Sequence, residues 1–311
     1  MNLIDELRKE ELPQISIGMP IYNGEQFLHQ RLESILSQTF TDFELIISDN
    51  ASTDSTGKIC EEYARKDHRI RYIRQEKNIG ALLNFNFVLK EAKFNYFVWM
   101  ASDDIIERDF LEKNIKILLS KKNVVCSTSK IKFTGSLIEE LESNSNDSIF
   151  KKIEKKIKSH FSSANFYSMY GVYEKKVRSC MKASGHTLAL YGVYRIDILR
   201  KSITDELFLG RESVIILNAL RYGDFHVIDE VLMHKLVDRN ASSAGGMIKL
   251  MRIYKQGHIG KVFVLYPFTA WFVKHLGWKL FLQNLDSFII LNFNDTVYYL
   301  VDIIRLFRYR K

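Results

Sequence analysis

Between Gln14 and Met100 short apolar runs alternate with stretches whose apolar residues recur at helical spacing. Gln14–Pro20 (QISIGMP), Phe43–Ser48 (FELIIS), Ile70–Arg74 and Tyr96–Met100 (YFVWM) are apolar runs closed by polar turn residues, the pattern of a strand buried on both faces. Gly24–Gln38, with Phe27, Leu32, Ile35 and Leu36 on one side, predicts a helix. So do Ser55–Lys66, through Ile59, Cys60, Tyr63 and Ala64, and Ala81–Ala92. Strand–helix alternation predicts a parallel sheet covered by helices on both faces. The ligand crevice of such a sheet lies beyond the C-terminal ends of its strands. After about Ser120 the period weakens. Ser136–Lys158 is polar and without period, which predicts a mobile loop or insertion. Order returns at Leu188–Arg200. Ser213–Tyr222 predicts a helix through Val214, Ile215, Leu217 and Leu220, and Phe225–Met233 a strand. Arg239–Gly246 (RNASSAGG) is a small, polar break and a candidate domain boundary.

Composition narrows the class. The 311 residues are 46% hydrophobic, enough for one large α/β domain with appendages or for two small domains. With 15 Gly and 3 Pro, a fibrous or mainly disordered chain is excluded. Cys60, Cys126 and Cys180 have no metal-ligand spacing, and an odd count argues against a disulfide framework. They read as reduced thiols of a cytosolic protein. The opening MNLIDELRKEELPQ is charged, unlike a secretory signal. Of the net charge of +8, nearly all sits from Met247 to Lys311, where ten Lys and Arg face three Asp and Glu. The remainder is close to neutral, a poor footprint for a nucleic-acid binder.

Three polar clusters follow three of the expected strands: Pro20-Ile21-Tyr22-Asn23-Gly24-Glu25, Ser48-Asp49-Asn50-Ala51-Ser52-Thr53-Asp54, and Ser102-Asp103-Asp104. On a parallel sheet they converge at one rim. Carboxylates there can accept nucleobase N–H or ribose hydroxyl bonds, and can hold Mg2+ or Mn2+ against a diphosphate, since these ions prefer oxygen ligands. Each cluster alone also reads as a turn, with Asp54 as a helix N-cap. Adjacent Asp103 and Asp104 after an apolar run raise each other's free energy unless a cation is near.

In this order and spacing the clusters resemble the nucleotide-binding half of family 2 glycosyltransferases of the GT-A fold, over Ile15 to about Leu118. The family's P-x-Y-N-x-E strand end corresponds to Pro20, Tyr22, Asn23 and Glu25. Its D-D-x-S-x-D turn corresponds to Asp49 through Asp54, its N-x-G to Asn78-Ile79-Gly80, and its D-x-D or D-D to Ser102-Asp103-Asp104. The resemblance implies an α/β, Rossmann-like, mostly parallel central sheet flanked by helices, with a C-terminal helical extension. It divides the chain into a GT-A domain over 1–246, with a nucleotide-binding half at about 14–118 and an acceptor half at about 119–246, and a basic aromatic tail over 247–311. Pro20, Tyr22 and Glu25 would shape the base and ribose pocket, Asp49 would receive the base N–H, and Asn23, Asn78, Gly80 and Ser102 would line the donor site. Asp103 would ligate Mn2+ or Mg2+ with Asp104 beside it. The donor would be a nucleotide diphosphate sugar, a UDP-sugar first. Three positions depart from the pattern: Ala101 replaces the first Asp of D-x-D, Asn50 the second Asp of the turn, and Phe85 a frequent Arg.

In the second half, Phe208-Leu209-Gly210-Arg211-Glu212 with Gly223 and Phe225 is similar to the stretch in which the family carries its base. Glu212 would deprotonate the acceptor hydroxyl during direct displacement, inverting the anomeric carbon. His186 could line the acceptor cleft or be structural. His234, Lys235 and Arg239 occupy a region where the family has basic residues. The implied product is a polysaccharide, glycolipid or cell-surface glycan, made on a glycan or lipid-linked acceptor. The tail holds 14 aromatics among basic residues and no uninterrupted spanning run. It suits peripheral contact with the inner face of a membrane, or packing on the catalytic domain or a second copy of the chain. A nucleotidyltransferase would carry a Gly-rich phosphate loop after the first strand, which is absent. A non-catalytic sugar-nucleotide-binding protein is the other alternative, allowed by the incomplete D-x-D.

Overall fold

The structure, a computed structural model, describes residues 14–101, 104–135, 167–183, 185–206, 208–236, 265–294 and 296. Ser136–Lys158 and Arg239–Gly246 lie outside the described residues. The chain divides into two compact units, Met1–Ser129 with Tyr191–Arg200, and Lys130–Leu190 with Lys201–Lys311.

The first unit is built on β1 (Ile15–Ile21), α1 (Glu25–Leu36), β2 (Phe43–Asp49), α2 (Thr56–Lys66), β3 (Ile70–Arg74), α3 (Ala81–Glu91) and β4 (Tyr96–Trp99). All seven fall where the hydrophobic pattern predicts them. Then come β5 (Asp104–Ile106), α4 (Phe110–Ser120), β6 (Val124–Thr134), which passes into the second unit at Lys130, and, after a long excursion, β7 (Val193–Arg195) and α6 (Ile196–Ser202), whose last two residues belong to the second unit. Six of these strands lie side by side in the order β3-β2-β1-β4-β7-β6. β1, β2, β3 and β4 pair in parallel, and β7 runs antiparallel to both β4 and β6. Ile15, Ile17, Met19, Leu45, Ile46, Ile47, Phe97 and Val98 are buried, as strands covered on both faces require. Leu28, Leu32 and Ile35 of α1, and Val88 and Leu89 of α3, supply the covering layers. Gly18 lets α3 come close: a Cβ there would stand 2.7 Å from both Phe97 Cζ and Val88 Cγ2.

The second unit holds α5 (Tyr173–Lys182), a 3-10 turn (His186–Tyr191), α7 (Arg211–Ala219) and β8 (Asp224–Leu236). It ends in α8 (Tyr266–Leu276), α9 (Trp278–Gln283) and a further helix over 285–294. The tail helices pack within this unit. Phe268, Phe272 and Phe288 are buried, with Phe272 and Phe288 edge to face at 4.9 Å between centroids. Phe268 rests on Gly210, whose φ is +96°; a Cβ on that glycine would meet Phe268 Cβ at 2.8 Å. Among the described residues, no helix is long and apolar enough to cross a membrane.

Candidate donor site at the strand ends

The register sets Ile21, Asp49 and Arg74 level across β1, β2 and β3. Asn50 N–H donates to Ile21 O at 2.9 Å, continuing that level past the last rung. Two polar loops leave from here and clasp each other. Asn23 N–H donates to Ser52 Oγ (2.9 Å), and Asn23 Oδ1 accepts from Thr53 N–H (2.8 Å). Gly24 N–H donates to Thr56 Oγ1 (2.9 Å). Glu25 N–H reaches Asp54 Oδ2 (3.2 Å), while Glu25 Oε2 accepts Ser55 N–H (2.7 Å). Each acid thus satisfies an N–H in the other's loop. Asp54 also accepts Thr56 N–H at 3.0 Å. It caps α2 from one residue before the N-cap, Ser55, whose own side chain makes no capping bond. That corrects the expectation that Asp54 occupies the cap itself. Asn23 and Ala51 both have positive φ, +49° and +60°. For residues with a Cβ this costs about 1–2 kcal/mol, and it is held by the surrounding bonds.

Asp49 is the hub. Its side chain has no exposed surface. Oδ2 accepts from Tyr72 O–H (2.9 Å) and Arg74 Nη1 (2.7 Å), and Oδ1 from Ser52 N–H (2.8 Å). Three of its roughly four acceptor positions are therefore filled from within the chain. Arg74 also donates to Ser52 O, yet its side chain remains 48% exposed at the rim. Burial pushes the Tyr72 hydroxyl up to about 12, and the bond to Asp49 adds to this, so it stays a donor. Tyr72 and Arg74 are two apart on β3 and share a face. That alternation is the sequence signal that could have found them; the register opposite Asp49 has none.

Asn50 joins this cluster to the next loop. Its Nδ2 donates to Asn78 Oδ1 (3.0 Å), and its Oδ1 accepts Ile79 N–H (2.8 Å). An Asp could not donate the first bond. Asn78 Oδ1 also accepts Gly80 N–H, and Gly80, at φ +88°, starts α3. Beneath them, buried Ser48 and Asn84 bond each other. Phe85, at the other departure, lies against Trp99 at 6.4 Å, and its carbonyl accepts the indole N–H. Pro20 is buried opposite Ser48, and Tyr22 stands exposed.

Ser102 and Asp103 lie outside the described residues. Asp104 is buried at the start of β5, its N–H bonded to Ala101 O. Among the described residues no three His, Cys, Asp or Glu side chains come together to hold a metal. Asp104 is an oxygen donor of the kind a divalent ion prefers. The three cysteines are buried and form no disulfide, and burial first and nearby acids second push the Cys60 thiol up to about 12.

In the second unit Glu212 sits in the first turn of α7, half-buried, just after Gly210. The flanking residues are structural. Arg211 donates to Thr204 O, and buried Ser213 bonds His186 Nε2 at 2.8 Å. The other ring nitrogen of His186 donates to Ala183 O, and burial holds this histidine below its usual range. With both ring nitrogens engaged, His186 takes the structural reading. His234 and Lys235 lie on β8, and Arg239 is outside the described residues.

"Glycosyltransferase GlyA" of Streptococcus pneumoniae is 30% identical over 238 residues, which cover 72% of this chain but 33% of that protein. The chain therefore spans about a third of this relative's length. S. aureus TarS 1-349 in complex with UDP-GlcNAc aligns with a TM-score of 0.53 at 19% identity, over 89% of this chain and 80% of that one. The mannosyltransferase PcManGT from Pyrobaculum calidifontis, in complex with GDP-Man and Mn2+, aligns with a TM-score of 0.54 at 12% identity, over 94% and 74%. These likenesses show the fold, the GT-A arrangement. Residues 16–179, more than half of the chain, match the glycosyl transferase family 2 domain, and the chain belongs to that family.

Proposed function

We propose that this chain moves a sugar from a nucleotide diphosphate sugar, a UDP-sugar first, to a hydroxyl of a glycan or lipid-linked acceptor, with inversion. The observation that carries the reading is the level register of Ile21, Asp49 and Arg74, which brings exposed Tyr22 and Arg74 to the C-terminal rim of parallel strands. Open α/β sheets bind ligands at that rim. Pro20, Tyr22 and Glu25 shape the base and ribose pocket. Asp49 serves nucleobase recognition, with Arg74 beside it as the exposed donor. TarS was solved with UDP-GlcNAc and PcManGT with GDP-Man, which supports the donor class and leaves the base open.

Glu212 is the general base in this reading, taking the acceptor proton as the hydroxyl attacks the anomeric carbon. Mn2+ or Mg2+ belongs to the reading through adjacent Asp103 and Asp104 in the sequence; such an ion offsets charge on a departing diphosphate. The basic aromatic tail brings the chain to the cytoplasmic face of a membrane. Released nucleotide, measured across UDP-, dTDP- and GDP-sugars with Mn2+, tests the whole. Release from one donor class is expected. Nucleotide binding without release marks a sugar-nucleotide-binding protein instead, and neither binding nor release overturns the assignment.

A further inference from the structure

The helix over 285–294 is amphipathic in an unusual sense. Its inward side contains buried Ser287 and Phe288, with buried Asn284 just before it, while Leu285, Ile289, Ile290 and Phe293 face outward. Ile289, Ile290 and Phe293 are 61%, 56% and 67% exposed. Leu285, Ile289 and Phe293 follow at every fourth position with Ile290 beside them, one stripe along the helix. Leu282 and Trp278, one turn apart on α9, are as exposed as the stripe. A cavity of about 470 Å³ in these helices is lined by Tyr266, Phe281, Leu285, Ile289 and Phe293 among others, so groove and stripe share residues. Single exposed apolar residues need no explanation, but a run of this kind marks an interaction surface.

Charge identifies what covers it. Lys274, His275 and Lys279 are exposed on α8 and α9. The single acid between 265 and 294 is Asp286, and Arg178 grips both of its oxygens. Over 265–294 these helices therefore present exposed apolar and cationic groups, and their one acid is engaged by Arg178. The sequence from 295 onward adds Arg305, Arg308, Arg310 and Lys311 against Asp295 and Asp302. A second copy would bring this charge against itself, because a two-fold contact uses the same patch twice. An anionic lipid surface complements it, with acyl chains for the stripe and headgroups for the cations.

We propose that Trp278, Leu282, Leu285, Ile289, Ile290 and Phe293 form the face by which this chain inserts into the interface of an anionic bilayer. This deepens the membrane part of the proposed function and rests on it. The face lies along the interface rather than across it, since no described helix can span.

The test uses the full chain and vesicles of phosphatidylcholine with or without phosphatidylglycerol. Of the three tryptophans, Trp99 and Trp271 are buried and Trp278 is 65% exposed, so emission changes report Trp278. Sedimentation with the anionic vesicles, a blue shift, and quenching by brominated acyl chains are expected. The double variant Ile289→Glu/Phe293→Glu should lower partition by roughly tenfold or more. Both side chains are exposed, so its thermal transition and UDP affinity should match the parent. Vesicle binding that the variant retains in full, or that leaves Trp278 unquenched, overturns insertion by this face. Absence of binding with a dimer in gel filtration assigns the face to a second copy, and absence of binding from a monomer overturns the proposal outright. Donor turnover is measured on the same samples. Turnover without vesicle binding sinks only the membrane face; vesicle binding without turnover sinks only the transferase reading.

Discussion

At the residue scale, Asp49 is read differently once its surroundings are known. In the sequence it is a carboxylate at a strand end, available to a base. In the structure it is buried and holds Tyr72, Arg74 and Ser52 N–H, which appear in the sequence as unrelated polar residues. Asp49→Ala leaves those donors without their acceptor. It should cost about 1–3 kcal/mol of stability in urea titration and weaken UDP binding in calorimetry. Unchanged stability and affinity together would remove the hub from both roles. Gly57→Ala makes a gentler probe, because a Cβ there meets Arg74 Nη1 at 2.8 Å, the end of a flexible side chain. The guanidinium must shift away from buried Asp49, and the Tyr72 hydroxyl stands 3.1 Å from the added Cβ, so nucleotide affinity should fall together with some stability, less than Asp49→Ala removes. Asp54 supplies a pH signature. Burial pushes its carboxyl up, but hydrogen bonds from Thr56 and from the Glu25 backbone outweigh that and hold it below its ordinary 3.8. Its contribution is then complete above the unfolded value and is lost as pH falls through the lower folded one. The parent should lose stability on the acid side of 3.8, and Asp54→Asn should lack that component. Identical acid limbs would mean the loop clasp is not titrated.

At the element scale, legibility followed burial. β1 to β4 and α1 to α3 are readable because strands covered on both faces are continuous apolar runs, and each is followed by its own turn residues. β7 is not readable. Three residues show no period, and it enters the sheet from far along the chain, held through Tyr194 opposite Phe97 and Cys126. β6 was hidden differently: its first half is buried, but Ser127, Thr128 and Ser129 are polar core residues that break an apolar count. The donor-site loops were legible as types and spacings, whereas their mutual bonds were not, since which side chain meets which N–H depends on register. Packing at Gly18 is also invisible in one sequence. Gly18→Ala should clash with Val88 and Phe97, lowering stability by about 1–3 kcal/mol by overpacking. A thermal transition equal to the parent's would show that α3 has room to withdraw.

At the scale of the whole molecule, the two units carry separate parts of the proposed reaction, and kinetics can keep them apart. The hub at Asp49 belongs to the first unit and Glu212 to the second. Glu212 opens α7 beside Gly210, on which Phe268 of the tail is packed, so the helix start is anchored by the core of its own unit. Removal of 247–311 would strip that support and confuse stability with catalysis. A single-atom change does not. Glu212→Gln keeps size and shape and cannot accept the acceptor proton, and a positioned base contributes roughly 10²–10⁴-fold. The turnover number should fall by about that factor, with the affinity for the donor nucleotide nearly unchanged in calorimetry. Asp49 variants should show the reverse weighting, with nucleotide affinity reduced first. Adding EDTA to the parent tests the metal part on the same two axes, and loss of nucleotide affinity is expected. Inversion is read from the product by NMR as an anomeric configuration opposite to the donor's. A Gln variant with parental turnover would remove Glu212 from the reaction. A product of retained configuration would remove direct displacement whatever the variants show, because one attack from the face opposite the leaving group can only invert.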